Sequence, residues 1–303
     1  VKKILVIGGS YFMGRVFVIL ASRTGEFDIT VVNRGRFKLN LERVSQIHFD
    51  RHDTDSVRNM LPDTEYDAVV DFCAYEPGDI SSFVGNIPRA PRQYIYISTC
   101  SVYDVAAIPP ITEESPVGGQ YGNDQMSSYA AKKQLLETEL MQACALKGIR
   151  PTILRPTMIY GPLNYAPREP WFFNAILQDQ AIPVPDFAKA KFNFVYVKDT
   201  AAFLMAVAGN PDTYDQIYNL AAPEEMDYAS FISELESCAG GPLKKTVLSR
   251  RLAADRGISF PFPTDLDEVY DGSKITRATG LRYTPFSKAF RETYDIYMSA
   301  YQK

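Results

Sequence analysis

The chain has 303 residues, 46% of them hydrophobic and 22% charged, with a formal net charge of −4. That is apolar mass enough for one large or two moderate cores, and the acidic balance argues against a nucleic-acid partner. No apolar run approaches the roughly 20 residues of a membrane span, and Cys73, Cys100, Cys144 and Cys238, with no Cys-x-x-Cys pair among them, fit reduced thiols in a cytoplasm.

Lys3-Ile-Leu-Val-Ile-Gly8 is a short apolar, β-branched run, and Gly9-Ser10-Tyr11-Phe12-Met13-Gly14 leads from it into Val16–Leu20. The pattern predicts strand, tight turn and helix, so this opening does not read as a signal peptide. Glycines serve such a turn by letting the backbone bend sharply and approach a pyrophosphate, whose charge meets free N–H groups at the helix start. The spacing is Gly-x-x-Gly-x-x-Gly at Gly8 and Gly14, with Tyr11 where the middle glycine would stand.

A second strand, Asp28 to Asn33, ends at Arg34-Gly35-Arg36, where an adenosine ribose would be read. An acid there suits a 2′-hydroxyl and a basic group a 2′-phosphate. Asn33 with Arg34, Arg36 and Arg15 nearby favours NADP(H) over NAD(H), unless these arginines are ordinary solvated surface. The third strand, Gln46–Asp50, carries His48, and His52 follows; these two histidines have no cysteine or carboxylate cluster at ligand spacing, so neither a metal site nor a hydrolase triad is expected.

Further strands fall near 67–73, 93–98 and 149–155, with helices between them. This alternation predicts an α/β, Rossmann-like doubly wound parallel sheet. Helix Ser127–Lys147 has Leu135, Leu136, Leu140 and Cys144 as its apolar side, and places Tyr129 and Lys133 four residues apart on one face. An isolated phenol with a pKa of about 10 is protonated at neutral pH, and a neighbouring ammonium favours the phenolate, so the pair can pass a proton to or from an alcohol/ketone couple. By itself the spacing also fits a solvated helix face.

After Arg155 the rhythm breaks: Pro156, Pro162, Pro167, Pro170, Pro183 and Pro185 surround a helix near 170–179, and a strand at Phe192–Val197 and a helix at Asp199–Ala208 follow. The expected division is a dinucleotide-binding domain over 1–160, to which 192–220 return, and a smaller mixed substrate lobe over 161–191 and 221–303.

Taken in order, these segments resemble the extended short-chain dehydrogenases/reductases, the NAD-dependent sugar epimerases and dehydratases. The resemblance runs nearly end to end, through the Gly8–Gly14 loop, Asp50, Ala74, Ile97-Ser-Thr99-Cys-Ser-Val-Tyr103, Tyr129/Lys133/Glu137, Arg155-Pro-Thr-Met-Ile-Tyr160-Gly161-Pro162, Phe194-Val-Tyr-Val-Lys-Asp199, Tyr218-Asn219 and Asp271-Gly-Ser-Lys274. It is nearest the branch with a Gly-Gly-Thr-x-Phe-Ile-Gly loop, which includes bacterial epimerase-like proteins and chloroplast stem-loop RNA-binding relatives. The resemblance implies that Thr99 bonds the substrate oxygen, Tyr129 transfers the proton, and Lys133 holds the nicotinamide ribose and tunes Tyr129. It implies NAD(P)(H) held by Gly8, Gly9, Ser10, Tyr11, Phe12, Met13, Gly14, Asn33, Arg34, Asp50, Arg51, Cys73, Ala74, Lys133 and Pro156. It also implies a sugar or nucleotide-sugar substrate lined by Cys100, Tyr160, Trp171 and Tyr196, and a homodimer formed through the Tyr/Lys helix. The alternative is a non-catalytic nucleotide-sensing or RNA-binding member of the same fold. Where the dehydratases of this family place an Asp-Glu pair after the threonine, this chain has Cys100 and Ser101, which argues against water elimination unless Glu113 or Glu114 folds back.

Overall fold

The computed structural model describes residues 1–118 and 125–301. Strands β1 (Lys2–Ile7), β2 (Phe27–Asn33), β3 (Val44–His48), β4 (Ala68–Asp71), β5 (Gln93–Ile97) and β6 (Arg150–Pro156) join the strand Gln216–Leu220 in one seven-stranded sheet. Its order is Gln216–Leu220, β6, β5, β4, β1, β2, β3, and every pairing is parallel. Parallel strands need covered faces, which is why Ile4–Ile7, Ala68–Asp71 and Gln93–Ile97 are buried along their whole length.

Helix α1 (Phe12–Thr24) lies on one face with the helix Val197–Val207, and its residues Val16, Phe17 and Ala21 join a core that includes Phe203, Leu204 and Val207. The opposite face is covered by α2 (Thr54–Met60), α3 (Asp79–Asn86) and α4 (Gln125–Lys147), through Val57, Ile80, Phe83, Leu136, Leu140 and Cys144. Successive β-α units run outward from β1 through β2 to β3, then from β4 through β5 to β6. The strand order therefore reverses between β1 and β4, and the crevice beyond the carboxyl ends of those strands is where such sheets bind ligands.

Leu135, expected on the apolar side of α4, is 57% exposed. Leu136, Leu140 and Cys144 are spaced four apart and form one stripe, whereas Leu135 is turned about 100° away from it.

The remaining chain adds two small parallel pairs, Met158–Tyr160 with Phe194–Tyr196 and Ile182–Pro185 with Lys245–Leu248. Between them Phe172, Phe194, Phe231, Phe262, Phe286 and Phe290 pack ring to ring, with Phe231 and Phe262 centroids 4.7 Å apart and Phe286 and Phe290 5.0 Å apart. These aromatics belong to the same apolar cluster as α1 and β1, so the segments after residue 160 share their core with the sheet.

Candidate active site

The glycine-rich turn connects β1 to α1 beyond the carboxyl end of β1. Gly8 and Gly9 have φ of 99° and 70°, a region that side chains with a Cβ adopt only with strain. A Cβ on Gly14 would lie 2.8 Å from the Gly9 Cα, so this glycine is what lets α1 close onto the turn. Tyr11, the departure from the glycine pattern, has φ −125° and ψ 151°, which any residue tolerates. Its ring points outward, 52% exposed, edge-on to Phe37 at 4.9 Å and Tyr165 at 6.2 Å. No side chain among the described residues caps the start of α1, and its first N–H groups are left for an anion. A pyrophosphate fits this turn.

At the end of β2 the Asn33 carboxamide is fully engaged. Its Oδ1 accepts from Gly35 N at 2.8 Å and Gln46 Nε2 at 3.0 Å, and its Nδ2 donates to Ser10 Oγ at 2.8 Å. Asn33 thus ties the glycine turn to β2 and β3, while Arg34 beside it is exposed. Asp50, also exposed, is held below the usual carboxylate range chiefly by the His52 backbone N–H, with Arg34 contributing. His52 bridges Asp50 and Asp79 with ring nitrogens at 2.8 and 2.7 Å.

Arg51, expected to face the cofactor, turns inward. Its Nη1 donates to both oxygens of Asp71 at 2.9 Å and its Nη2 to Asp79 O at 2.7 Å, with the side chain almost wholly buried. Asp71, at the end of β4, also accepts from Tyr94 Oη at 2.6 Å and Cys73 N at 2.9 Å. A buried charge is retained only when paired, so the guanidinium is committed to this network. Cys73 lies against Gly8, 3.4 Å from where that residue's Cβ would be, and burial pushes its thiol up to about 12.

Thr99, Tyr129 and Lys133 converge where β5 meets α4. Thr99 begins a short 3₁₀ turn, its Oγ1 accepting from Ser101 N at 3.2 Å, and its side chain lies beside the Tyr129 phenol. Burial pushes that phenol up to about 12, against the pull of the Arg168 guanidinium and of Thr99. Tyr129 is therefore a proton donor at neutral pH. The Lys133 ammonium donates to Ile97 O at 2.8 Å and Ala74 O at 3.1 Å, and lies over the rings of Tyr96 and Tyr75 at 4.7 and 4.8 Å, with the Tyr129 ring at 5.9 Å. Burial lowers its pKa to about 8. Glu137, one turn further on, accepts from Ser98 Oγ and pairs with Arg155 of β6, fixing α4 against both strands.

Cys100, Tyr160 and Tyr196, expected to line the substrate, are closed inside the core at 2%, 3% and 2% exposure. The Cys100 thiol donates to Arg155 O at 3.1 Å, Tyr160 packs against Phe286 at 5.2 Å, and Tyr196 Oη bonds Glu292. Trp171 is partly buried, edge-on to Phe172 at 4.8 Å, and Pro156 pairs in register with Leu220 at the end of β6. Glu113 does fold back, but onto Asn219 N at 2.7 Å rather than to Tyr129.

Two residues that the sequence reading passed over belong to the site. Arg168 supplies the charge that acts on Tyr129, and Glu169, buried, accepts from Gly161 N at 2.9 Å and Asn164 Nδ2 at 2.8 Å, which staples the 161–168 loop. Burial pushes Glu169 up to about 7. The available signal was Pro170, near the first position of the helix Glu169–Leu177, which marks Arg168 as the boundary residue.

A doubly wound parallel sheet with a glycine turn after its first strand defines a Rossmann-type nucleotide-binding architecture. The chain belongs to the NAD dependent epimerase/dehydratase family, whose model matches residues 87–221. It is 31% identical over 277 residues, covering 86% of this chain and 70% of the relative, to the chloroplast stem-loop binding protein of 41 kDa b of Arabidopsis thaliana. Among solved structures it is similar to UDP-glucuronic acid 4-epimerase from Bacillus cereus in complex with UDP-glucuronic acid and NAD, with TM-score 0.78, 18% identity and coverage of 99% and 100% of the two chains. An epimerase from Methanothermobacter thermautotrophicus gives TM-score 0.80 at 16% identity, covering 99% and 93%. At these identities the structures establish the fold.

Proposed function

We infer that this protein is an NAD(P)(H)-dependent epimerase or reductase acting on a hydroxyl or ketone of a sugar or nucleotide-sugar. The observation that carries this reading is the meeting of Thr99, Tyr129 and Lys133 at the carboxyl end of β5, with Ala74 O and the β1–α1 turn beside them. In it, Gly8 to Gly14 hold the pyrophosphate, Asp50 the adenine end, and Lys133 with Ala74 the nicotinamide end; the bound dinucleotide supplies hydride exchange. Thr99 fixes the substrate oxygen, and Tyr129, protonated at rest, gives its proton to that oxygen during reduction and recovers it during oxidation. Arg34, exposed next to Asn33, supports NADP(H) over NAD(H). The B. cereus enzyme, with UDP-glucuronic acid and NAD bound, supports a nucleotide-sugar.

In this reading residues 1–160 and 192–220 bind the dinucleotide, and 161–191 and 221–303 the substrate, in a cytoplasmic protein. Leu135 and Leu146, about three turns apart on one face of α4 and both exposed, support a homodimer through that helix. The test is to denature the purified protein and identify released nucleotide by mass spectrometry, then follow UDP-hexoses by NMR. Absence of any nicotinamide dinucleotide, with no binding on addition, would remove the assignment.

A second reading, carried by the 31% identity to a stem-loop binding protein, is a nucleic-acid-binding member without turnover. Salt-sensitive binding to an RNA stem-loop, unaffected by Tyr129→Phe, would favour it.

A further inference from the structure

His52 stands between two acids. Its Nδ1 lies 2.8 Å from Asp50 Oδ1 and its Nε2 2.7 Å from Asp79 Oδ1. A neutral imidazole has one N–H and one lone pair, which here would face a carboxylate oxygen; only the imidazolium donates from both nitrogens. Asp79 first, and Asp50 after it, raise the pKa of His52 against the opposing effect of burial.

The two acids are not held alike. Asp79 is a fixed post, buried at the start of α3, with its Oδ2 accepting from Tyr75 N at 2.8 Å and Glu76 N at 3.0 Å and its carbonyl bonded by Arg51 Nη2. Asp50 is exposed. Its Oδ1 takes both contacts from His52, the backbone N at 3.0 Å and the ring, while its Oδ2 makes no hydrogen bond among the described residues. The other charges of this corner have their own roles: Arg51 pairs with Asp71, Asp53 accepts from Ser56, and Arg34, past the end of β2, also pulls on Asp50. Without the His52 ring, only the backbone of its own loop restrains the Asp50 side chain.

We propose that His52 is a positioning residue for the dinucleotide: as an imidazolium it ties Asp50 to the fixed Asp79 and presents the remaining oxygen of Asp50 to the adenine end, and as a neutral imidazole it lets Asp50 go. The proposal rests on the dinucleotide reading above and deepens it, since affinity at the adenine end then depends on one proton that takes no part in the chemistry at Tyr129.

The experiment measures Kd by calorimetry for ADP-ribose and NADP⁺ from about pH 6 to about pH 9, the range around a histidine pKa, on nucleotide-free wild type, His52→Ala and His52→Arg. The His52 ring is titrated by NMR in the same protein, its signal being the one absent from His52→Ala. The side chain is 65% exposed, so both substitutions leave the fold intact. At the acid end His52→Ala binds about five- to tenfold more weakly than wild type, part of the worth of a hydrogen bond to a charged group. The two affinities converge as pH rises through the His52 pKa. Lys133 and the other titrating groups are common to both proteins and cancel in this ratio. His52→Arg, a cation that does not titrate in this range, holds its acid-end affinity to the alkaline end. A ratio below twofold throughout overturns the positioning role, and so does a larger ratio that stays constant with pH, which is what a purely structural effect gives. Should wild type bind neither probe at any pH, the dinucleotide reading falls, and the NMR titration still decides the tie between the acids. A His52 pKa above the ordinary value that Asp50→Asn lowers upholds it, and an ordinary pKa indifferent to Asp50→Asn overturns it.

Discussion

Replacing Lys133 by Met separates what the ammonium does for the site from what it costs the fold. Burial holds this group at about 8 against an ordinary value of 10.5. A drop of this size means that keeping the side chain charged at neutral pH costs about 3 kcal/mol. The carbonyls of Ala74 and Ile97 hold the ammonium in place. Methionine has similar length and no charge, so Lys133→Met leaves stability at pH 7 near wild type or above it. The sign of the pH dependence follows from linkage. Below pH 8 the lysine is protonated in both folded and unfolded chains and the full penalty applies. Between 8 and 10.5 the unfolded chain binds more protons, so wild-type stability rises with pH. From pH 7 to 9.5 wild type should therefore gain about 2 kcal/mol relative to Lys133→Met, the other titrations cancelling in the difference. Urea denaturation of both proteins, freed of nucleotide, at the two pH values measures this. A difference that stays flat, or moves the other way, refutes the account of Lys133 as a buried cation with a lowered pKa.

Tyr129→Phe should lower turnover by about 10²–10⁴-fold with dinucleotide affinity unchanged, since only the proton-bearing oxygen goes; steady-state rates and fluorescence titration check this. Arg34→Ala should weaken NADP(H) about tenfold or more and NAD(H) little, by the same titration, because a charged contact to the 2′-phosphate is lost. Incubation with nucleotide-hexoses and NAD(P)⁺ should yield no main product lighter by water in the mass spectrum. Cys100 is sealed in the core and Glu113 is tied to Asn219, which leaves no acid next to Thr99 among the described residues to expel a hydroxyl.

The sheet was readable from the chain because each parallel strand is a dense apolar run with a turn at its end, and every predicted strand from β1 to β6 lies within two or three residues of its place. The glycine turn and the Tyr/Lys pair were readable because each lies within a run of ordered motifs whose spacing sets local geometry. Side-chain direction was not. Arg51 follows Asp50 at a position that reads as cofactor-facing, yet Asp71, twenty residues on, draws it inward. Tyr160 and Tyr196 follow motifs that border the site, but pairing of Met158–Tyr160 with Phe194–Tyr196 places both in one aromatic cluster. Arg168 lies in a proline-rich stretch with no period to read, and its role depends on a neighbour nearly forty residues earlier.

The strand order also bears on how the chain is made. β6 ends at Pro156, and the strand that covers its outer edge begins at Gln216. About sixty residues must be added before that edge can be closed, which at roughly 5–20 residues per second is some three to twelve seconds of synthesis. During that interval the open backbone of Thr152–Pro156 is a template for pairing with any extended segment nearby. The nascent polypeptide is thus open to misassembly at this edge while residues 157–215 are made, and a slower passage through them lengthens that exposure.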